Sequence, residues 1–257
     1  MRVLGFDTAT RATAVAVLDT DSDLEPVQVR DDPPPGVRPR HMTLLMTLIV
    51  ETLQRAQTSW SELDRIAVGV GPGTFTGLRI GVATARALGR AHGLPLVAVS
   101  TLESLAASAV AGRGGPAGQP RSDCPSELLS VSPRVLAVLD ARRGEVFAAG
   151  WRTGAGTGAL GERVLAPRAL APAALAATLQ APGPAWLAVG DGAVEFRELL
   201  ERSGIWIPAD YSELHRVTAV SHCRLACGRC AVAPEEVSPE YVRIPDAEIN
   251  LRAAHKR

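Results

Sequence analysis

The segment from Ile66 to Gly93, IAVGVGPGTFTGLRIGVATARALGRAHG, constrains this chain most: an apolar run, a glycine turn, then a helical pattern with a small residue at every fourth position. Gly77, Gly81, Ala85 and Gly89 share one helical face. A glycine inside a helix costs about 1 kcal/mol against alanine, so three on one stripe call for compensation by a backbone packed unusually close. The stripe is a docking surface, either for the chain's own sheet, as helices dock in α/β folds, or for a partner helix. If a partner takes it, Gly81→Leu or Ala85→Glu abolishes the association and leaves the isolated chain folded.

With 257 residues the chain can bury one large core or two small ones. Its 27 Lys and Arg residues balance 27 Asp and Glu residues, and no basic cluster stands out, so a lone nucleic-acid binder is not expected. Lys256 is the only lysine. That excludes a P-loop lysine, a Schiff base and a catalytic lysine base within the body of the chain. The opening MRVLGFDTAT lacks an apolar h-region and no run approaches the length of a membrane span, which predicts a cytoplasmic protein with no signal peptide.

Two stretches echo one another. VLGFDTATRATAVAVLD and VLAVLDARRGEVFAAGW each run an apolar strand into an aspartate, Asp7 or Asp140, then a short turn, then a returning strand. This weak repeat predicts two related α/β lobes with a cleft between them. The first lobe, residues 1–111, reads β-β-(β)-α-β-α-β-α, with a helix from about Arg40 to Gln57 after the proline-rich DDPPPGVRP. That helix carries a core stripe of Leu44, Leu45, Leu48, Ile49 and Leu53, flanked by Met42, Met46 and Val50 that suit either surplus core contact or a partner. Residues 112–133, rich in Gly, Pro and Ser, read as a mobile surface insertion. A reduced second lobe, 134–257, holds a helix near Pro172 to Gln180, the strand WLAVG, the turn Gly190-Asp191-Gly192 followed by a helix to about Arg202, and a last helix over 211–230 that packs back on the first lobe.

Sites for chemistry are sparse. Gly71-Pro72-Gly73-Thr74-Phe75-Thr76-Gly77 joins a strand to a helix, where an anion can bind, but its spacing is not the dinucleotide pattern; capping by Thr74 or Thr76 explains it as well. Asp7, Thr8, Thr10, Asp140, Gly190 and Gly192 fall where two-lobed phosphotransferases hold metal-bound phosphate, and Asp and Thr also form such turns for local reasons. Cys223, Cys227 and Cys230 lie on one face of the last helix, which suits small buried hydrophobes better than a zinc site. His41 has no second histidine at i+4, so no metal is expected there, and a capping or interface role suits it better. No nucleophile stands in a recognisable setting.

The segments VLGFDTAT, GVGPGTFTGLRIGVATARALG, LPLVAVSTLESLA, LAVLDARRGEVFAA, GDG and PEYVR together resemble the TsaB family of tRNA threonylcarbamoyladenosine biosynthesis proteins. The likeness spans most of the chain and weakens over 112–133 and the cysteine-bearing helix. It implies the α/β two-lobed fold of the actin, Hsp70 and sugar-kinase group (ASKHA), with duplicated β-hairpin subdomains. It also implies a non-catalytic relative of TsaD, the subunit that transfers a threonylcarbamoyl group from threonylcarbamoyl-AMP to N6 of the adenosine following the anticodon in tRNAs reading ANN codons. TsaD-type proteins carry a paired-histidine metal motif, whereas the first helix here offers only His41.

By the same resemblance, TsaD docks on the two first-lobe helices, through His41, Met42, Leu45, Met46, Ile49 and Val50 on one and Gly77, Ile80, Gly81, Thr84, Ala85, Leu88 and Gly89 on the other. The ATPase TsaE joins the assembly, which engages tRNA and uses ATP and Mg, while this chain holds no cofactor of its own. Without TsaD, the same face pairs two copies as a homodimer. A nucleotide-dependent phosphotransferase is the competing reading. A peptidase, the activity suggested by older names in this superfamily, lacks both nucleophile and metal pair here.

Overall fold

The computed structural model describes residues 1–34, 36–111, 134–154, 159–179 and 185–243; the insertion expected at 112–133 lies outside them. In the first lobe, strands β1 (Arg2–Asp7), β2 (Thr13–Asp19) and β3 (Val27–Asp31) form an antiparallel meander. Helix α1 (His41–Arg55) leads to β4 (Arg65–Gly71), which pairs parallel to β1. Helix α2 (Phe75–His92), strand β5 (Leu96–Ser100) and helix α3 (Thr101–Ala111) follow, giving the sheet order β3-β2-β1-β4-β5. The second lobe repeats the plan with β6 (Arg134–Arg142), β7 (Glu145–Thr153), β8 (Leu160–Leu170), α4 (Pro172–Leu179) and β9 (Trp186–Val189) in the order β8-β7-β6-β9, β6 and β9 being parallel. Two sheets, each a three-stranded meander whose first strand takes a parallel neighbour, make the two-lobed α/β fold of the actin, Hsp70 and sugar-kinase type.

Three differences from the sequence reading have local causes. The expected helix from the GDG turn to Arg202 is two short ones, α5 (Asp191–Glu195) and α6 (Arg197–Glu201), parted at Phe196, whose φ of −110° is not helical. The expected helix over 211–230 is a short turn at Glu213–His215 and a separate helix α7 (Ala219–Cys227). The hydroxyl of Thr218 accepts from the amide of Ser221 and starts α7, so the chain stays extended at Arg216 and Thr218 rather than helical. Cys230 thus lies beyond the helix and is exposed. Strand β8, unread in the sequence, alternates poorly and is mostly exposed.

Strand alternation divides the first lobe. Leu4 and Phe6, with Val15, Val17, Ile66, Val68 and Leu96, meet Leu45, Ile49 and Leu53 of α1 and Val82, Ala85 and Leu88 of α2. Val3, Ala14, Ala16, Ala67, Val97 and Val99 project to the other face, where Ala219, Cys223 and Ala226 of α7 pack on them. This second face is built of small side chains, so α7 lies very close. Burial pushes the Cys223 thiol well above its ordinary range, as expected of a small inert hydrophobe.

First-lobe side chains hold both ends of α7. The amide oxygen of Gln28 accepts from Ala219 N (2.8 Å), and the Arg65 guanidinium donates to the carbonyls of Ala226 (3.0 Å) and Arg229 (2.9 Å). Helix α3 lies between the lobes: Leu102, Leu105, Ala106 and Ala109 enter the core formed with Val135, Ala137 and Leu139 of β6.

A methyl group added at Gly5 would lie 2.5 Å from Sγ of Cys223 and 2.9 Å from the carbonyl of Ala219. Gly5→Ala is therefore expected to cost about 1–3 kcal/mol by overpacking. Chemical denaturation measures this, and an unchanged midpoint would contradict so close a seat for α7.

Candidate functional site

The small-residue stripe of α2 faces inward. The carbonyl of Thr8 lies 2.0 Å from where a Gly77 side chain would start, and Thr8 Oγ1 lies 2.5 Å from the same point on Gly81. Gly89 is closed off by the Leu94 carbonyl and Pro234, and Ala85 is wholly buried. The compensation that the glycines require thus comes from within the chain. This corrects the partner reading of Gly77, Gly81, Ala85 and Gly89: Gly81→Leu drives a side chain into Thr8 and is expected to unfold the lobe rather than only to release a partner.

His41, Leu45, Ile49 and Leu88 are buried too and offer no contact surface, because they face the sheet or the β1–β2 turn. Imidazole Nδ1 of His41 lies 2.8 Å from Thr13 Oγ1, and burial holds its pKa below the ordinary value. Five of the candidate contacts remain outside. Met42, Met46 and Val50 are exposed (80%, 45% and 44%) in a row along α1, and Ile80 and Thr84 are half-buried on α2. The sequence reading missed Ala83, Ala87 and Ala91, which form a second small-residue stripe on the opposite, exposed face of α2. Both helices pack on the same face of the sheet and touch each other, so their outward residues form one surface.

The phosphate-facing candidates are not assembled into a nucleotide site. Alternation sends Asp7 to the α7 side, where it is 2% exposed. Its Oδ1 accepts from Ala9 N (2.7 Å) and its Oδ2 from Thr101 Oγ1 (2.8 Å). Nε2 of His222 lies 3.0 Å from Oδ2, in contact although off the line of a well-aligned hydrogen bond. A side chain on Gly69 would start 1.9 Å from Oδ2, so glycine makes the room the carboxylate occupies. Burial works to raise this carboxyl, but the His222 ring, the Ala9 amide and the Thr101 hydroxyl outweigh it and hold it below the usual carboxylate range.

Thr8 is equally enclosed, its hydroxyl donating to the Gly77 carbonyl (2.7 Å). Thr74 stands at the start of α2 without a side-chain cap; its amide donates instead to the Ala9 carbonyl (2.7 Å), so the glycine turn wraps the β1–β2 turn. In the second lobe Asp140 is held by its own turn, accepting from Arg142 N (2.7 Å), while Gly190 and Gly192 press on the backbone of β6. Thr10 alone of the six lines the cleft between the lobes, with Arg11, Arg30, Asp191 and His215. The cleft measures about 190 Å³, below the roughly 300–1,000 Å³ of ordinary ligand pockets. Among the described residues no group of three His, Cys, Asp or Glu is placed to hold a metal, and no helix is long and apolar enough to cross a membrane.

Carboxylate, imidazole and hydroxyl do follow one another from Asp7 through His222 to Ser104 (Nδ1 to Oγ 2.8 Å). All three are buried and Nδ1 also faces the Thr218 carbonyl at 3.0 Å, so no substrate reaches the hydroxyl. His222 and Ser104 were not readable as partners of Asp7, since nothing local links residues so far apart.

Fold and site define a two-lobed protein of the actin, Hsp70 and sugar-kinase architecture whose first strand-end carboxylate is sealed inside. The family model described as TsaD, tRNA N6-adenosine threonylcarbamoyltransferase, matches residues 33–199. The tRNA threonylcarbamoyladenosine biosynthesis protein TsaB of Escherichia coli (strain K12) is 30% identical over 250 residues, 95% of each chain. The transferase of Bartonella bacilliformis is 40% identical over 124 residues, but these make up only 34% of that protein. YeaZ from Pseudomonas aeruginosa, a solved structure, superposes with a TM-score of 0.70 at 25% identity, covering 93% of this chain and 99% of that one. A second Pseudomonas aeruginosa structure, described as similar to peptidase YEAZ, gives 0.72 at 27% identity over 94% and 99%. The chain belongs to the TsaB family.

Because the folded-state pKa of Asp7 is depressed, the stability it contributes is present above the unfolded value of about 3.9 and is lost as pH falls through the folded one. Asp7→Asn should therefore be less stable than wild type at neutral pH and show a shallower loss below about pH 4. Thermal unfolding across pH measures both; parallel curves would contradict the assignment.

Proposed function

We propose that the chain is a non-catalytic subunit in the formation of N6-threonylcarbamoyladenosine in tRNA, and that it acts by docking on TsaD. The observation that carries this reading is the row Met42, Met46 and Val50 on α1 beside Ile80, Ala83, Thr84 and Ala87 on α2. An exposed apolar row next to a face of small side chains lets a foreign helix approach closely, and it is the kind of surface that soluble chains seldom leave uncovered. The TsaB relationship supplies the partner. TsaE and tRNA join the assembly rather than this chain alone, and ATP and Mg are used there. In isolation the same surface pairs two copies.

A phosphotransferase reading finds little support. Asp7 and Thr8 are committed to internal contacts, and the interlobe cleft is small. Calorimetry with ATP and Mg is expected to give no micromolar binding by the isolated chain; such binding, lost in Asp7→Ala, would reverse the preference.

Met46→Glu and Ala83→Arg alter exposed positions and should leave the melting temperature of the chain nearly unchanged. Each is expected to weaken binding to TsaD at least about tenfold and to shift the isolated chain from dimer to monomer on size exclusion. Full retention of TsaD by both variants would refute the docking face.

A further inference from the structure

The starts of helices α1 and α2 are both hydrogen-bonded to the same piece of backbone. The β1–β2 turn, residues 7–13, holds the first residue of α1 through Thr13 and His41 (2.8 Å), and holds the start of α2 through Ala9 to Thr74 (2.7 Å) and Thr8 to Gly77 (2.7 Å). The turn is itself fixed from behind. Asp7 accepts from Ala9 N, and its other oxygen meets Thr101 of α3 and His222 of α7. The ring of His222 is then held by Ser104 Oγ (2.8 Å) and the Thr218 carbonyl (3.0 Å). His222 is completely buried and lies on the sheet face opposite α1 and α2, so it touches neither helix's outer surface.

We infer that His222 is a positioning residue: by holding Asp7 it fixes the β1–β2 turn and thereby sets the spacing and direction of α1 and α2 in the docking face. This rests on the docking reading above. The physical reason is that a buried carboxylate needs its partners. Without the imidazole, only Ala9 N and Thr101 Oγ1 remain to hold the buried carboxylate, and as it turns toward water Ala9 N loses its acceptor. The carbonyl of Ala9 and the hydroxyl of Thr8 belong to the same short turn, so the anchor of α2 moves with them. A preorganised surface binds without bearing the cost of ordering these elements.

The test combines hydrogen exchange on the full-length chain with titration against TsaD. In His222→Ala, exchange at the amides of Ala9 and Thr74 should rise about tenfold or more, strands β6 and β7 should keep their protection, and TsaD affinity should fall about tenfold. His222→Gln keeps a donor near Asp7 and should restore most of both. That rescue separates positioning from general destabilisation. Should His222→Ala fail to fold, Ser104→Ala leaves the ring in place but loosens it and should move both readouts the same way by less. Unchanged exchange at Ala9 and Thr74, or full TsaD affinity despite loosened amides, would overturn the inference. If wild-type chain itself does not bind TsaD, the docking reading fails on its own; the exchange measurements then decide the mechanical link, upheld by loosening and overturned by its absence.

Discussion

A carboxylate buried at the end of a central strand cannot persist without partners, and the first lobe is arranged around giving them to Asp7. Gly69 vacates the space, α3 brings Thr101, α7 brings His222, and the turn's own amide at Ala9 closes the set. Each partner comes from a different element. The contact therefore joins the sheet, the helix between the lobes and the returning C-terminal helix at one point, and the glycine turn before α2 wraps around the result. The start of the β1–β2 turn, with Asp7, Thr8 and Ala9 all buried, is thereby an internal joint rather than a solvent-facing loop.

Much of the fold was legible because strands and turns are local. The echo between the segments around Asp7 and Asp140 predicts the two hairpins, β1–β2 and β6–β7, though not the third strand β8 of the second meander, and the 3.6-residue pattern places α1 and α2 within two or three residues. The site was legible only by half. Periodicity tells that Gly77, Gly81, Ala85 and Gly89 share a face, but it does not tell which face looks inward when the opposite one carries Ala83, Ala87 and Ala91. Side-chain size gives no answer either, since small residues serve a close intramolecular approach and an intermolecular one equally. Thr8, which fills the groove against Gly81, reads in sequence as a turn former. On α1 the contrast between large aliphatic and flanking methionine residues was stronger, and there Met42, Met46 and Val50 do face outward.

His222 illustrates a second limit. It sits in a helix beside Cys223 and Arg224, a setting that reads as small buried hydrophobes and a solvated charge and gives no sign of a buried partner for Asp7. Its role depends on the strand-face alternation of β1 and on the small residues that let α7 settle against the sheet, both of which are tertiary facts. The single local signal was the glycine at position 69, between the β-branched Val68 and Val70 of β4, where a missing side chain marks a close approach.

Helix α7 also bears on how the chain reaches its folded state. Cys223 lies 220 residues from the Val3 carbonyl that its thiol faces, and Gln28 and Arg65 wait for helix ends made from the last part of the described chain. During synthesis the first sheet can cover one side early, with α1 and α2, but Val3, Ala14, Ala16, Ala67, Val97 and Val99 stay bare until residues 219–227 leave the ribosome. Until residues 219–227 have been made, the nascent lobe is therefore a half-covered sheet whose buried carboxylate has Ala9 and Thr101 beside it but not yet the imidazole of His222.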